Sequence, residues 1–328
     1  MSVLVTGGAG YIGSHMVLAL TDAGHEVVVL DNLSTGVAWA VSPKAKLVEG
    51  DIADQALVAR IIKNHGVDAV VHFAGSIVVP ESVTDPLGYY NNNTCKSRSL
   101  VESAVKGGVP HFIFSSTAAV YGNPKSVPVR ESDDLLPISP YGTSKLMTEL
   151  MLRDTTAAHD LNYVALRYFN VAGADPRGRS GQSTPRATHL IKVACETALG
   201  SRDHMSVFGT DYDTPDGTCL RDYIHVSDLV AAHLDALTYL KQGGESQVFN
   251  CGYGKGYSVL EVIGAVEKAC GHKMDVRMSP RRPGDPAEIV ANADKARATL
   301  HWKPKHADLD LIVNTALAWE KHLQGRNA

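Results

Sequence analysis

The run Val3-Leu4-Val5-Thr6-Gly7-Gly8-Ala9-Gly10-Tyr11-Ile12-Gly13 restricts the fold of this chain more than any other stretch. It begins as a short apolar segment, breaks into glycines, and resumes with helical spacing at Ile12, Met16, Val17 and Leu20. That pattern predicts a buried strand, a tight turn and the start of a helix. Glycines at the turn let an anion approach the helix N-terminus, where free N–H groups and the helix dipole favour negative charge. Gly8, Gly10 and Gly13 fit G-x-G-x-x-G, and Gly7, Gly10 and Gly13 fit G-x-x-G-x-x-G. A glycine triplet alone is weak. Here a second apolar run, Glu26 to Leu30, follows the helix and ends at Asp31, near the offset of a carboxylate that binds a ribose. The bland alternative is a structural strand–helix turn, with Asp31 as a solvated cap.

The same alternation continues. Strands are expected at Ala45–Glu49, Ala69–Phe73, His111–Phe114 and Tyr163–Arg167, with helical patterns between them. One helix should end near Gly66, another should run from Pro86 to Gly107-Gly108, and a third should begin after Pro140. Continuous apolar runs between helices are strands buried on both faces of a parallel sheet. Asp51, after Gly50 and before Ile52, sits where an adenine would lie and can also cap the next helix.

From Val171 the texture changes. Arg177 to Arg186 is rich in Gly, Ser, Pro and Arg without apolar period, and Met205–Phe208 is a candidate strand. An apolar-faced helix starts at Ser227, and Gln247–Asn250 is a strand expected to return to the large sheet. Ser258-Val259-Leu260-Glu261 is a capping box, and Arg281 to Asp285 is a tight turn. The expected fold class is α/β: a doubly wound (Rossmann) parallel sheet with a smaller, interleaved α/β C-terminal substrate domain. The expected boundaries are residues 1–170 for a dinucleotide-binding domain, completed by about 223–250. Residues 171–222 and 251–328 form the second domain.

Tyr141 and Lys145 are four apart and share a helix face. A tyrosine titrates near pH 10, too high for a base at neutral pH, but a nearby ammonium and an oxidised nicotinamide favour the phenolate. Thr117, in Ser115-Ser116-Thr117 at a strand end, can hold or pass the proton. A Y-x-x-x-K pair is frequent on helix surfaces; its place after this strand gives it weight.

The charge balance excludes other classes. The 328 residues carry 35 acids against 31 bases, net charge -4, with no long basic run, so neither nucleic acid nor an anionic membrane is an expected partner. No apolar run is long enough to span a bilayer, and the first strand leaves no signal-peptide pattern. Cys95, Cys195, Cys219, Cys251 and Cys270 are scattered, without C-x-x-C, so no metal site is expected and reduced thiols in a cytoplasmic location are.

These motifs resemble the extended short-chain dehydrogenase/reductase family. The resemblance rests on T-G-G-A-G-Y-I-G from Thr6, Asp31-Asn32, Gly50-Asp51-Ile52 and His72-Phe73-Ala74-Gly75. It continues through Ser115-Ser116-Thr117, Tyr141 to Lys145, Arg167-Tyr168-Phe169-Asn170, Arg221 to Val226, and Arg282-Pro283-Gly284-Asp285. They span nearly the whole chain in the family's order. The resemblance implies NAD as cofactor, a UDP-sugar as substrate and a homodimer. It implies an isomerase that inverts C4 of a UDP-hexose by transient oxidation to a 4-keto sugar. Implied catalytic residues are Thr117, Tyr141 and Lys145. Implied cofactor contacts are Gly7, Gly10, Tyr11, Ile12, Gly13, Asp31, Asn32, Leu33, Ser34, Asp51, Ile52, Phe73, Ala74, Asn92, Tyr168 and Phe169. Implied substrate contacts are Asn170, His189, Leu190, Phe208, Arg221, Arg282 and Asp285. Two arginines suit a diphosphate, which guanidinium binds in a fork.

Three departures stand out. Thr117 replaces a frequent serine and keeps the hydroxyl. Ile77 stands where some members have a cofactor-binding lysine. Thr188-His189-Leu190 replaces Asn-Asn-Leu, leaving His189 either to bond substrate or to cap the following helix. Ile289 falls on a residue that walls the sugar pocket, so N-acetylhexosamine, pentose and uronate substrates stay open. A sister 4,6-dehydratase needs Asp-Glu after the threonine; Ala118-Ala119 cannot transfer protons. A non-catalytic dinucleotide sensor would need no Tyr–Lys pair.

Overall fold

A computed structural model describes residues 1–184, 187–282 and 285–327. Pro185 and Arg186 of the Gly/Ser/Pro/Arg-rich segment, and Pro283 and Gly284 of the expected tight turn, lie outside the described residues.

Seven strands form one parallel sheet. They are β1 (Ser2–Thr6), β2 (Glu26–Asp31), β3 (Lys46–Glu49), β4 (Val67–His72), β5 (His111–Thr117), β6 (Asn162–Tyr168) and, much later in the chain, a strand at Gln247–Cys251. Their order is Gln247–Cys251, β6, β5, β4, β1, β2, β3, and all six pairings are parallel. The order reverses between β1 and β4, which opens a crevice beyond the strand ends, where doubly wound sheets bind ligands. Alternation along β1 sends Val3 and Val5 to one face and Leu4 to the other. The Leu4 face is covered by α2 (Gln55–His65) and by a later helix at Lys96–Lys106. The Val3 face is covered by α1 (Tyr11–Asp22) and by a helix at Val226–Lys241. Both faces are therefore dry, as the unbroken apolar strands require.

Two expectations change in detail. Asp51 does not cap α2; Asp54 does, accepting the Leu57 amide at 2.9 Å. Asp51 instead accepts the Ala53 amide at 2.9 Å and pairs with Lys96 at 2.5 Å. The expected helix from Pro86 to Gly107 is three pieces: α4 (Pro86–Tyr89), a π-helical turn at Tyr90–Cys95, and α5 (Lys96–Lys106). An additional helix, α3 (Val79–Thr84), precedes them. The π turn inserts one residue into the helix, which the apolar period alone does not signal.

The Tyr141 helix, α6 (Pro140–Thr156), starts at Ser139, whose hydroxyl accepts the Gly142 amide at 3.2 Å. Beyond β6 a smaller body is built on β7 (Asn170–Ala172), α7 (Leu190–Ala198), β8 (Met205–Phe208) and β9 (Leu220–His225). The chain then runs through α8 (Val226–Lys241) and β10 (Gln247–Cys251). It ends with β11 (Gly256–Ser258), α9 (Val259–Cys270), β12 (Val276–Ser279), β13 (Glu288–Ile289), α10 (Asp294–Thr299) and α11 (Leu309–Asn327). In this body β9 pairs with β7, β11 and β13, and β8 pairs with β12. Its core, Ile191, Val207, Tyr223, Val262, Ile312 and Val313 among others, is separate from the two cores of the large sheet. The capping box at Ser258 and Glu261 forms as expected and starts α9. No helix of the described residues is long and apolar enough to cross a membrane.

Candidate active site

One continuous cleft of about 820 Å³ lies beyond the carboxyl ends of the large sheet and runs to the smaller body. That is at the upper end of the roughly 300–1,000 Å³ typical of ligand sites.

Its floor is the glycine turn. Gly7 has φ +71°, and a Cβ there would meet the Ala74 amide nitrogen at 2.6 Å; a Cβ on Gly13 would lie 2.1 Å from the Gly7 carbonyl oxygen. Only glycine fits either position. The α1 N-terminus has no side-chain cap and no acid in its first turn, so its free N–H groups face the cleft at Tyr11, Ile12 and Gly13. Asp31, at the end of β2, accepts the Ala9 amide at 2.9 Å and the Leu33 amide at 2.8 Å. Those bonds fix the carboxylate and leave lone pairs for hydroxyl donors. A cradle closed to side chains, a bare helix N-terminus and an oriented carboxylate fit the pyrophosphate and ribose of a dinucleotide.

Asn32, Ser34, Asp51, Ile52, Phe73, Ala74, Asn92, Tyr168, Phe169, Asn170, His189 and Leu190 line the same cleft. Two expected contacts do not. Leu33 has φ +56° and donates its amide to Asp31. Phe208 lies under Arg282, whose guanidinium carbon is 3.8 Å from the ring centre. Ile77 lines the cleft as an apolar residue, 47% exposed, so a cationic contact is absent there.

At the far end Arg221, Arg282, Asp285 and Ile289 face the cleft. Arg221 is held by the Leu220 carbonyl at 2.9 Å and lies 3.7 Å from Asp285. His189 stands at the N-cap position of α7, but its side chain makes no capping bond; its Nδ1 is 3.2 Å from Gln182 Nε2, and burial lowers its pKa. Of its two expected roles, capping by the side chain is not seen.

The chemical groups meet in the middle. Tyr141 is 8% exposed; burial raises its pKa, and interaction with the Thr117 hydroxyl opposes that rise. Lys145 is 3% exposed and donates to the Ser115 carbonyl at 3.1 Å; burial lowers its pKa to about 8. The expectation that a nearby ammonium and an oxidised nicotinamide together favour the phenolate is not met by Lys145 by itself. Without a bound cation, desolvation dominates Tyr141. Ala118 and Ala119 follow Thr117 along the cleft wall and offer no proton.

The sequence reading missed the groups that brace this centre. Asn93, on the π turn and 2% exposed, accepts the Ser76 amide at 2.7 Å and donates to the Ser76 carbonyl at 2.9 Å and to Ser144 at 3.1 Å. Its only signal in the sequence is the triplet Asn91-Asn92-Asn93. His72, with pKa lowered to about 3 by burial, bridges Thr6 at 2.7 Å and Ser97 at 2.8 Å as a neutral ring. Among the described residues no cluster of His, Cys, Asp or Glu could hold a metal.

The chain is similar throughout its length to known proteins. It is 59% identical to a UDP-glucose 4-epimerase of Azospirillum brasilense, across 98% of this chain and 92% of that protein. A crystal structure of UDP-glucose 4-epimerase from Bifidobacterium longum in complex with NAD+ and UDP superposes with a TM-score of 0.94 at 40% identity, covering 98% of both chains. The UDP-Glc/GlcNAc 4-epimerase of Campylobacter jejuni matches at 49% identity and a TM-score of 0.85, covering 98% of this chain and 99% of that one. The profile of the NAD dependent epimerase/dehydratase family matches residues 3–252, and the chain belongs to that family.

Proposed function

We propose that this chain is an NAD-dependent isomerase that interconverts UDP-galactose and UDP-glucose by inverting C4. One observation carries the reading: Tyr141 and Thr117 stand in the same cleft as the glycine cradle, with only methyl groups beside them at Ala118 and Ala119, and Lys145 is buried behind them on the Ser115 carbonyl. The first step of such a reaction needs a base at a sugar hydroxyl, and the second needs the same proton returned. NAD, when bound on the glycine turn and Asp31, supplies the acceptor and donor of hydride. Tyr141 takes the O4 proton, with Thr117 holding the phenolic oxygen in line. Lys145 stays protonated at neutral pH and adds positive charge behind the base. Arg221 and Arg282 grip the diphosphate, so the 4-keto sugar turns without leaving and offers the opposite face of C4 to the returning hydride, while Tyr141 gives its proton back to O4.

In this reading residues 1–170, completed by 223–250, bind NAD, and residues 171–222 and 251–328 hold the nucleotide sugar. Asn170, His189, Leu190 and Asp285 contact the substrate, whereas Phe208 supports Arg282 from beneath. Ile289, an aliphatic side chain 8% exposed on the cleft wall, is intermediate in size between a small residue and the bulky wall that excludes N-acetyl groups. N-acetylhexosamine and pentose substrates are compared directly with the hexose in the functional test.

The protein acts in the cytoplasm as a homodimer. Support for the dimer comes from apolar side chains that a monomer leaves in water: Val83 on α3, Leu87 on α4, and Met147 and Leu150 on α6, which packs against α3 and α4. Leu87→Glu with Leu150→Glu should give a monomer by light scattering.

The functional test is incubation with UDP-galactose, UDP-N-acetylgalactosamine and UDP-arabinose. The expected product of the first is UDP-glucose. A stable 4-keto-6-deoxy sugar would establish a dehydratase, and no sugar product would establish a sensor.

A further inference from the structure

Three residues of α6, spaced four apart, meet the last three residues of β5. Tyr141 faces Thr117, Lys145 donates to the Ser115 carbonyl, and Glu149 accepts from the Ser116 hydroxyl. The first two belong to the cleft chemistry; the third does not reach it. Glu149 is 4% exposed and Arg167, its partner from β6, 3% exposed. Arg167 donates to Glu149 from Nε at 3.0 and 3.2 Å and from its terminal nitrogen at 2.6 Å. Its other terminal nitrogen donates to Tyr121 Oη at 3.0 Å, and Tyr121 donates to Asn250 Oδ1 at 2.7 Å. Tyr121 ends the 3₁₀ turn Ala118–Tyr121 that begins directly after Thr117, and Asn250 lies on β10. One buried network thus ties α6, the end of β5, the turn after Thr117, β6 and β10 together.

Stability alone does not explain it. A buried ion pair exchanged for well-packed apolar residues is often neutral or stabilising. What the forked pair adds is orientation, because two parallel N–H···O bonds fix both side chains in a plane. Along α6 each residue advances 1.5 Å, so a slide of less than one residue separates Tyr141 from Thr117.

We propose that Glu149 and Arg167 are positioning residues: their pair locks the register of α6 on the end of β5 and so holds Tyr141 against Thr117 during proton transfer. This rests on the reading of Tyr141 as the base. Neither residue lines the cleft. Their loss should therefore appear in kcat and its pH dependence, not in KM.

The test compares wild type with Arg167→Lys, which keeps the charge but not the fork, and with Glu149→Gln. A third variant, Ser116→Ala/Glu149→Leu/Arg167→Met, replaces the network by apolar packing and guards against simple unfolding. UDP-galactose turnover is measured per NAD-loaded subunit across pH. The expected result is a fall in kcat of roughly 10- to 100-fold with KM unchanged within about twofold. The acid limb of the kcat profile should move to higher pH, because Thr117 no longer holds the phenol. Partial recovery is expected in Arg167→Lys relative to the apolar variant. If kcat per loaded subunit and its pH profile stay at wild-type values, with losses confined to the folded fraction, the pair is merely structural and the proposal is overturned. A wild type without turnover overturns instead the functional reading beneath it.

Discussion

The ammonium of Lys145 lies 3.1 Å from the carbonyl oxygen of Ser115 and donates to it. Lys145 is thus held by the strand rather than by the tyrosine one helical turn before it. Gly75 comes close from the other side, where a Cβ would be 3.6 Å from the ammonium. In the proposed reaction the lysine acts on Tyr141 through space, as a buried positive charge, and that role requires it to stay protonated.

That burial makes the stability of the cofactor-free chain pH-dependent. Lys145 has its folded-state pKa lowered to about 8 from 10.5. Below pH 8 it is charged both folded and unfolded, and the folded chain bears the whole desolvation penalty. Between pH 8 and 10.5 the unfolded chain keeps a proton that the folded chain has released, so this group's contribution to stability rises with pH. Relative to Lys145→Met, urea unfolding should show wild type gaining stability across that window. A difference constant from pH 7 to 10.5 would contradict the burial argument.

Tyr141→Phe removes one oxygen from a buried ring and should fold normally. Turnover should fall by roughly 10²- to 10⁴-fold, the usual worth of a general base. Thr117→Ser keeps the hydroxyl and should be nearly neutral, whereas Thr117→Val should be clearly damaging. A Tyr141→Phe enzyme retaining more than about a tenth of wild-type rate, below the least a general base contributes, would place the base elsewhere.

Cofactor choice follows from Asp31. Its carboxylate is pinned by two backbone amides, so it cannot swing away from a 2′-phosphate, and the next residues, Asn32 to Gly36, include no arginine to offset the repulsion. NAD should bind more tightly than NADP in a titration, and Asp31→Asn should narrow the gap. Tighter binding of NADP by wild type would overturn this.

The large sheet was legible because its signals are local. Val3–Val5, Val27–Leu30, Ala69–Val71 and Phe112–Phe114 are apolar on both faces, and Gly7 after β1, Asp31 at the end of β2 and Thr117 at the end of β5 face the cleft. Gly7, Gly13 and Asp31 were legible because backbone geometry admits few alternatives there. Asn93 and Glu149 were not, because their value comes from partners 17 to 51 residues away at Ser76 and Ser144, and 18 to 33 residues away at Arg167 and Ser116. Asp54 displaced Asp51 as helix cap for a similar reason: Lys96, 45 residues on, claims the Asp51 carboxylate. A polar residue inside an apolar pattern reads as surface until the topology supplies its partner.

The central claim is that C4 is inverted by hydride removal and return within one cleft, with Tyr141 carrying the proton. UDP-galactose deuterated at C4 tests it most directly. After conversion in ordinary water the UDP-glucose formed should retain the deuterium at C4, with no free reduced cofactor accumulating in step with product. An inverted sugar that has lost its C4 deuterium to solvent would mean deprotonation at carbon, and the mechanism built on Tyr141 would be wrong.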